Sequence, residues 1–166
     1  SEEEIEVDNL TYYKAISSVE KIWKDFISIN HQYHILKIPQ SFFFCDNKKD
    51  ADECAELVFN RIKQATSVSL WSYEKDNTDF PKKGDLFIVT DWEGNAKAII
   101  ETTNIKQVPF NQITPEFAKT EGEGDKSLSY WKKVHWDYFS REMAEYGKKP
   151  SEEMIIICEY FKIIYV

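Results

Sequence analysis

Three carboxylates stand two residues apart in the run Glu121-Gly122-Glu123-Gly124-Asp125. Carboxylates at that spacing can hold a divalent cation or move protons. As the opening of a calcium loop the run fails, because its sixth position, where glycine is needed, is Lys126, and its twelfth is Lys132. The two glycines still suit a tight, exposed turn, and Asp125 stands near the start of the helix that follows, where negative charge is favoured. Lys63 and Thr66 form a second candidate, at a point where a helix hands over to a strand, although Lys-x-x-Thr alone is a common string. His31 and His34 can share a helix face, but two ligands do not make a zinc site, and His135 is distant in sequence. Cys45, Cys54 and Cys158 show no Cys-x-x-Cys spacing and read as reduced thiols. No phosphate-cradling GxxxxGK[ST], dinucleotide GxGxxG, nucleophile-elbow GxSxG or metalloprotease HExxH occurs.

The elements that must position these residues follow from periodicity. Ile16, Val19, Trp23, Phe26 and Ile27 recur at helical spacing, so Leu10 to Asn30 is expected to be an amphipathic helix with Asn9 as its cap. Asp50 with Glu53 resembles a capping box, and a second helix follows with Cys54, Leu57, Val58 and Arg61 on one face. The alternation from Thr66 to Trp71 suits a strand, as does Leu86 to Thr90. Asp91 to Asn95 reads as a hairpin loop into a strand over Ala96 to Thr103. Thr114-Pro115 opens a short helix, with proline at its first position. A long helix carries Leu128, Trp131, Val134, Tyr138 and Phe139, and Met154 to Tyr165 is the last strand. This order predicts an α+β fold with a mixed or antiparallel curved sheet, not a doubly wound one.

Composition narrows the function classes. The chain has 166 residues, enough for one domain that needs no disulfide or metal to hold it. Its 21 Lys and Arg against 29 Asp and Glu give a net charge of −8, which speaks against tight, sequence-independent binding to a phosphate backbone, so no DNA partner is expected. No apolar run reaches the roughly 18 residues of a membrane span. The start Ser1-Glu2-Glu3-Glu4 is acidic and unlike a signal peptide, and a cytoplasmic location is expected.

A longer series is more specific. It comprises Lys63-Gln64-Ala65-Thr66-Ser67, Trp71-Ser72-Tyr73-Glu74, Pro81-Lys82-Lys83-Gly84-Asp85, Ile100-Glu101-Thr102-Thr103 and Phe110. It continues through Ala118-Lys119-Thr120 and the acidic run to Lys126-Ser127-Leu128, Trp131 and His135. In this order and spacing the series resembles the ASCH domain family, most of all a branch of small bacterial proteins with an EGEGD loop. The resemblance covers residues 40–166, and residues 1–39 resemble that branch's N-terminal helical extension, expected to pack on the domain. It implies a PUA-like fold: a curved mixed β-barrel flanked by helices, with a cleft between them. PUA-like domains commonly bind RNA or modified bases. Some ASCH proteins remove an acyl group from N4 of cytidine nucleosides, and others are metal-assisted ribonucleases. The working Lys, Thr and Glu of the amidohydrolase-like members fall on Lys63, Thr66 and Glu121. The family often has glycine two residues before that lysine, where this chain has Arg61.

The residue types agree with that chemistry. Thr66 becomes a nucleophile if a base takes its proton, Lys63 can be that base if burial lowers its pKa, and Glu121 can pass a proton to the leaving amine. This reading needs no cofactor and takes a small nucleoside as partner. The alternative is an RNA-binding module or a metal-dependent ribonuclease, in which Glu121, Glu123 and Asp125 hold Mg²⁺ or Mn²⁺ for RNA cleavage. That reading draws on Lys82, Lys83, Lys132, Lys133 and Arg141 for a cationic stripe. A third possibility is a non-catalytic protein that binds a modified base. Trp71, Tyr73 and Trp131 are candidates to stack on a base, with Glu123, Asp125, His135 and Arg141 as further ligand contacts. Lys63, Thr66 and Glu121 are expected to line one cleft.

Overall fold

Apolar residues on one stripe of the first helix bury against β-branched strands, and that packing organises the first half of the fold. The computed structural model describes residues 2–166, with side chains from residue 9 onward, and Ser1, the first residue of the expected extension, lies outside the described residues. Its elements are α1 (Glu2–Ile29), β1 (Ser41–Phe42), α2 (Lys48–Phe59), β2 (Ala65–Ser69), α3 (Leu70–Asp76), β3 (Leu86–Thr90), β4 (Ala96–Pro109), α4 (Pro115–Glu121), α5 (Leu128–Ala144) and β5 (Ile155–Tyr165). The fold is therefore α+β. The strands form one sheet in the order β1-β3-β4-β5-β2. β1 and β3 are parallel, while β3–β4 and β2–β5 are antiparallel, so the sheet is mixed. The order is a row with β1 and β2 at its ends, and the barrel closure expected from the family is not among its pairings. Among the described residues no helix is long and apolar enough to cross a membrane.

Chain contacts divide the protein into two units. The first holds the chain through Phe59, Leu86–Glu101 and Ile163–Val166. Trp23 and Phe26 of α1 pack on Ile88 of β3 and Ile99 of β4, with Tyr33 and Tyr165 against Phe26 at ring separations of 5.0 and 5.8 Å. Fully burying each such side chain stabilises by about 1.5–3 kcal/mol. The helix is longer at its N-terminal end than its apolar stripe predicts. α2 starts earlier than the Asp50 capping box suggests, because the Asn47 side-chain oxygen accepts the Asp50 N–H at 3.0 Å. In the β3–β4 hairpin the Asp91 side chain accepts the Asn95 N–H at 2.8 Å, bridging the loop between the two strands as expected.

The second unit holds Asn60–Asp85 and Thr102–Lys162. Its core gathers Ala65, Phe110, Phe117, Trp131, Phe139 and Ile156. β2 ends before Trp71: the Ser69 hydroxyl accepts the Ser72 N–H at 3.2 Å and caps α3, so Trp71 lies on a helix, not on the expected strand. Thr114 caps α4 with Pro115 in the first turn, as the sequence predicts. α5 is capped by Ser127, whose hydroxyl accepts the Tyr130 N–H at 3.1 Å.

Candidate functional site

Lys63 and Glu121 are 58 residues apart in sequence, and two backbone features bring them together. The Gln64 N–H donates to the Thr120 carbonyl at 2.9 Å, tying the residue after Lys63 to the residue before Glu121. Gly122 then ends α4 in the left-handed region at φ 74°, and a Cβ there would lie 2.7 Å from the Ile62 carbonyl oxygen. Only glycine permits that approach. Arg61 is also left-handed, at φ 61°, which accounts physically for a glycine preference at this position.

The resulting cluster is buried, with Lys63 and Glu121 each 1% exposed. Lys63 Nζ donates to the Ala65 carbonyl at 2.8 Å, to Glu121 Oε1 at 3.0 Å and to Glu123 Oε1 at 2.9 Å. An ammonium has three hydrogens, and each has an acceptor here. Glu121 Oε2 accepts from the Ser67 hydroxyl at 2.8 Å and from the Trp131 indole N–H, and lies 3.3 Å from His135 Nε2. His135 stacks on Trp131 at 4.1 Å and its Nδ1 faces the Trp131 carbonyl at 2.8 Å, which places a hydrogen on Nδ1. Cys158 is pushed up to about 12, first by burial and then by the Glu121 charge. Lys63 as the expected base thus meets an amine whose hydrogens are all engaged.

Thr66 leaves the opposite face of β2. In the antiparallel register Ser67 pairs with Cys158 and Thr66 with Glu159, so Ser67 shares the Glu121 face and Thr66 shares the Glu159 face. Among the described residues the hydrogen bonds of Lys63 and Glu121 run to Ala65, Glu123, Ser67 and Trp131, and not to Thr66. Glu159 is 7% exposed and accepts from the Thr102 hydroxyl at 2.7 Å. Burial pushes its carboxyl above the ordinary range and the nearby Asp85 charge adds to that, while the Thr102 hydrogen bond and the Lys63 charge pull the other way. Tyr73 is pushed up to about 12, by burial and then by the charge of Glu159.

The remaining expected residues scatter. Trp71 rests edge-on against Tyr146 at 5.4 Å, with the Lys75 amine above its ring. Trp131 is buried among His135, Phe110 and Phe117 and holds Glu121; it presents no open face to a base. Arg141 lies exposed over the Tyr138 ring. Asp125 is exposed and accepts the Ser127 N–H at 2.9 Å, so it braces the capping residue and does not cap α5 itself. The Ser127 side chain, and then its N–H, hold the Asp125 carboxyl below the usual range. Ser67, Thr102 and Glu159 were missed. Ser67 and Thr102 stood within the segments that carry the family resemblance but without a role, and nothing local marked Glu159.

As ligands for Mg²⁺ or Mn²⁺ the structure gathers Glu121, Glu123 and His135, whose donor atoms lie within 4.8 Å of one another, and not Asp125. The residues do not fit a divalent ion: the Lys63 ammonium already sits between the two carboxylates and would face the ion's double charge.

Comparison with known proteins agrees with this architecture. The family model of the ASCH domain matches residues 40–165. The chain is similar to the crystal structure of an ASCH domain from Lactobacillus crispatus JV V101, at 31% identity and a TM-score of 0.82, covering 90% of this chain and 96% of that one. It is also similar to the crystal structure of a protein from Enterococcus faecalis V583, at 28% identity and a TM-score of 0.81 over 90% of each chain. A search among curated proteins finds no match. The matched span contains every residue of the buried cluster, and the chain belongs to the ASCH domain family, with a PUA-like fold.

Proposed function

We propose that this ASCH domain protein hydrolyses the amide of an N4-acylcytidine-like nucleoside, using the Lys63, Glu121 and Glu123 cluster together with Thr66. The observation that carries this reading is the buried Lys63 amine, held at 2.9–3.0 Å from two carboxylates. Taking ions out of water costs several kcal/mol each, roughly, and apolar residues of equal volume would serve stability as well or better. Such clusters are kept where charge is used. Thr66 is the nucleophile, and Lys63 is the positive charge beside which an oxyanion can form. Glu121 and Glu123 hold that amine in position. Although Thr66 projects from the other face of β2, the Lys63 charge bears on that face too, since it also acts on Glu159, the register partner of Thr66. The net charge of −8 favours a neutral nucleoside over a polyanion. In this reading the sheet is an open-ended version of the PUA-like barrel, and residues 1–39 are an extension to the catalytic domain.

The test is incubation with N4-acetylcytidine, with and without EDTA, followed by chromatography for cytidine and acetate. Release that EDTA does not slow is the expected result. Intact substrate alongside metal-dependent fragmentation of single-stranded RNA would replace this reading with a ribonuclease.

A further inference from the structure

A threonine nucleophile needs a proton acceptor close to its hydroxyl. Lys63 does not provide one, because its three hydrogens are donated to Ala65, Glu121 and Glu123. Glu121 is poorly suited, because its two oxygens already receive Lys63, Ser67 and Trp131 and it lies on the other face of β2. We propose that Glu159, facing Thr66 across the β2–β5 ladder, takes the proton of the Thr66 hydroxyl and returns it to the leaving group.

This rests on the amide-hydrolysis reading above and supplies its missing base. Thr66 and Glu159 are direct partners in the register. Partners of that kind project from the same face with Cβ atoms about 4.5–5.5 Å apart. Glu159 uses Oε2 to accept from Thr102, and among the described residues neither its Oε1 nor the Thr66 hydroxyl has a hydrogen-bond partner. The charged and titratable groups around it are Lys63, Asp85 and Tyr73. Burial lifts this carboxyl toward neutral pH, where a general base is most effective. The contrast between a donor-saturated Glu121 and a donor-poor Glu159 separates a fixed charge from a proton carrier.

The step balances. The Thr66 proton moves to Glu159, Thr66 Oγ1 bonds to the acyl carbon, and the bond from that carbon to N4 breaks as Glu159 protonates the departing amine. Water then cleaves the threonyl ester, with Glu159 again taking and returning one proton. Acid and cytidine are released and the enzyme is unchanged.

The experiment compares wild type, Glu159→Gln and Glu159→Asp on N4-acetylcytidine across a pH series, with thermal melts to establish folding. Glutamine keeps an oxygen for Thr102 but accepts no proton. The expected result is a kcat about a hundredfold lower for Glu159→Gln with KM little changed. The acidic limb of the wild-type pH profile should also vanish, and Glu159→Asp should restore it in part. A folded Glu159→Gln protein with wild-type kcat, or with its acidic limb intact, overturns the proposal while the hydrolase reading stands. Should wild type leave N4-acetylcytidine untouched, that reading fails by itself, and p-nitrophenyl acetate decides on Glu159. Acetyl found on Thr66 by mass spectrometry in wild type and missing in Glu159→Gln supports the pair. Acetyl found on Ser67, equal labelling in both proteins, or no labelling of Thr66 overturns it.

Discussion

The two units treat their interiors differently. In the first, the buried side chains among the described residues are apolar apart from Thr90, whose hydroxyl donates to the Asp91 carbonyl at 2.8 Å, and its described ion pairs, such as Lys21–Asp25, are exposed. In the second, Lys63, Ser69, Thr102, Glu121, His135 and Glu159 are all buried. An apolar interior stabilises by area removed from water and forgives changes of shape that conserve volume. An interior of paired charges is held by mutual satisfaction, and removing one member strands the others. The difference shows where this chain accepts the energetic cost of buried charge, and it is open to direct measurement.

The largest effect is expected at Lys63. Lys63→Met keeps the length of the side chain but leaves Glu121 and Glu123 without their cation, and should cost about 3–5 kcal/mol in urea denaturation. Adding Glu121→Gln should recover part of that loss, because the uncompensated carboxylate is removed; strict additivity of the two losses would show that the cluster is not one unit. In the first unit, Ile88→Leu at a fully buried position is the matching volume-conserving change and should cost about 1 kcal/mol by the same measurement. A loss as large as that of Lys63→Met would erase the contrast.

The finest distinction is in pH. The folded protein holds the Glu159 proton more tightly than the unfolded chain does, since burial raises that carboxyl. Stability therefore falls as pH rises from the ordinary carboxylate value through the raised one, and the contribution is fully present only below both. Glu159→Gln should flatten the stability profile in that window, read from melting midpoints between acid and neutral pH. A steeper profile in the variant would reverse the sign assigned to this group.

How much of this was legible in the chain depends on whether the signal was local. Thr114 before Pro115, the Leu86–Thr90 strand and the Asp91–Asn95 loop were readable because capping, alternation and an aspartate-bridged turn act over a few residues. Trp71 was misplaced because alternation continues past Ser69, whereas the Ser69 hydroxyl turns the chain into α3. The start of α2 was misread because Asn47 was a better cap than the capping box beyond it. Lys63 and Glu121 were named through a family pattern, since no spacing rule joins residues linked by one backbone bond from Gln64 to Thr120. Glu159 was invisible for a related reason. Its partner is chosen by the β2–β5 register, and a shift of one residue would turn it to the other face.

The three-acceptor setting of Lys63 also bears on how anything binds beside it. A surface lysine gripping a ligand gives up about 1.5–2 kcal/mol of rotamer freedom in doing so. Lys63 has surrendered that freedom already, because Ala65, Glu121 and Glu123 fix its amine as the chain folds. The entropy of holding this charge in place is therefore settled on folding, and in the proposed hydrolysis none of it is lost again when a substrate is held near it.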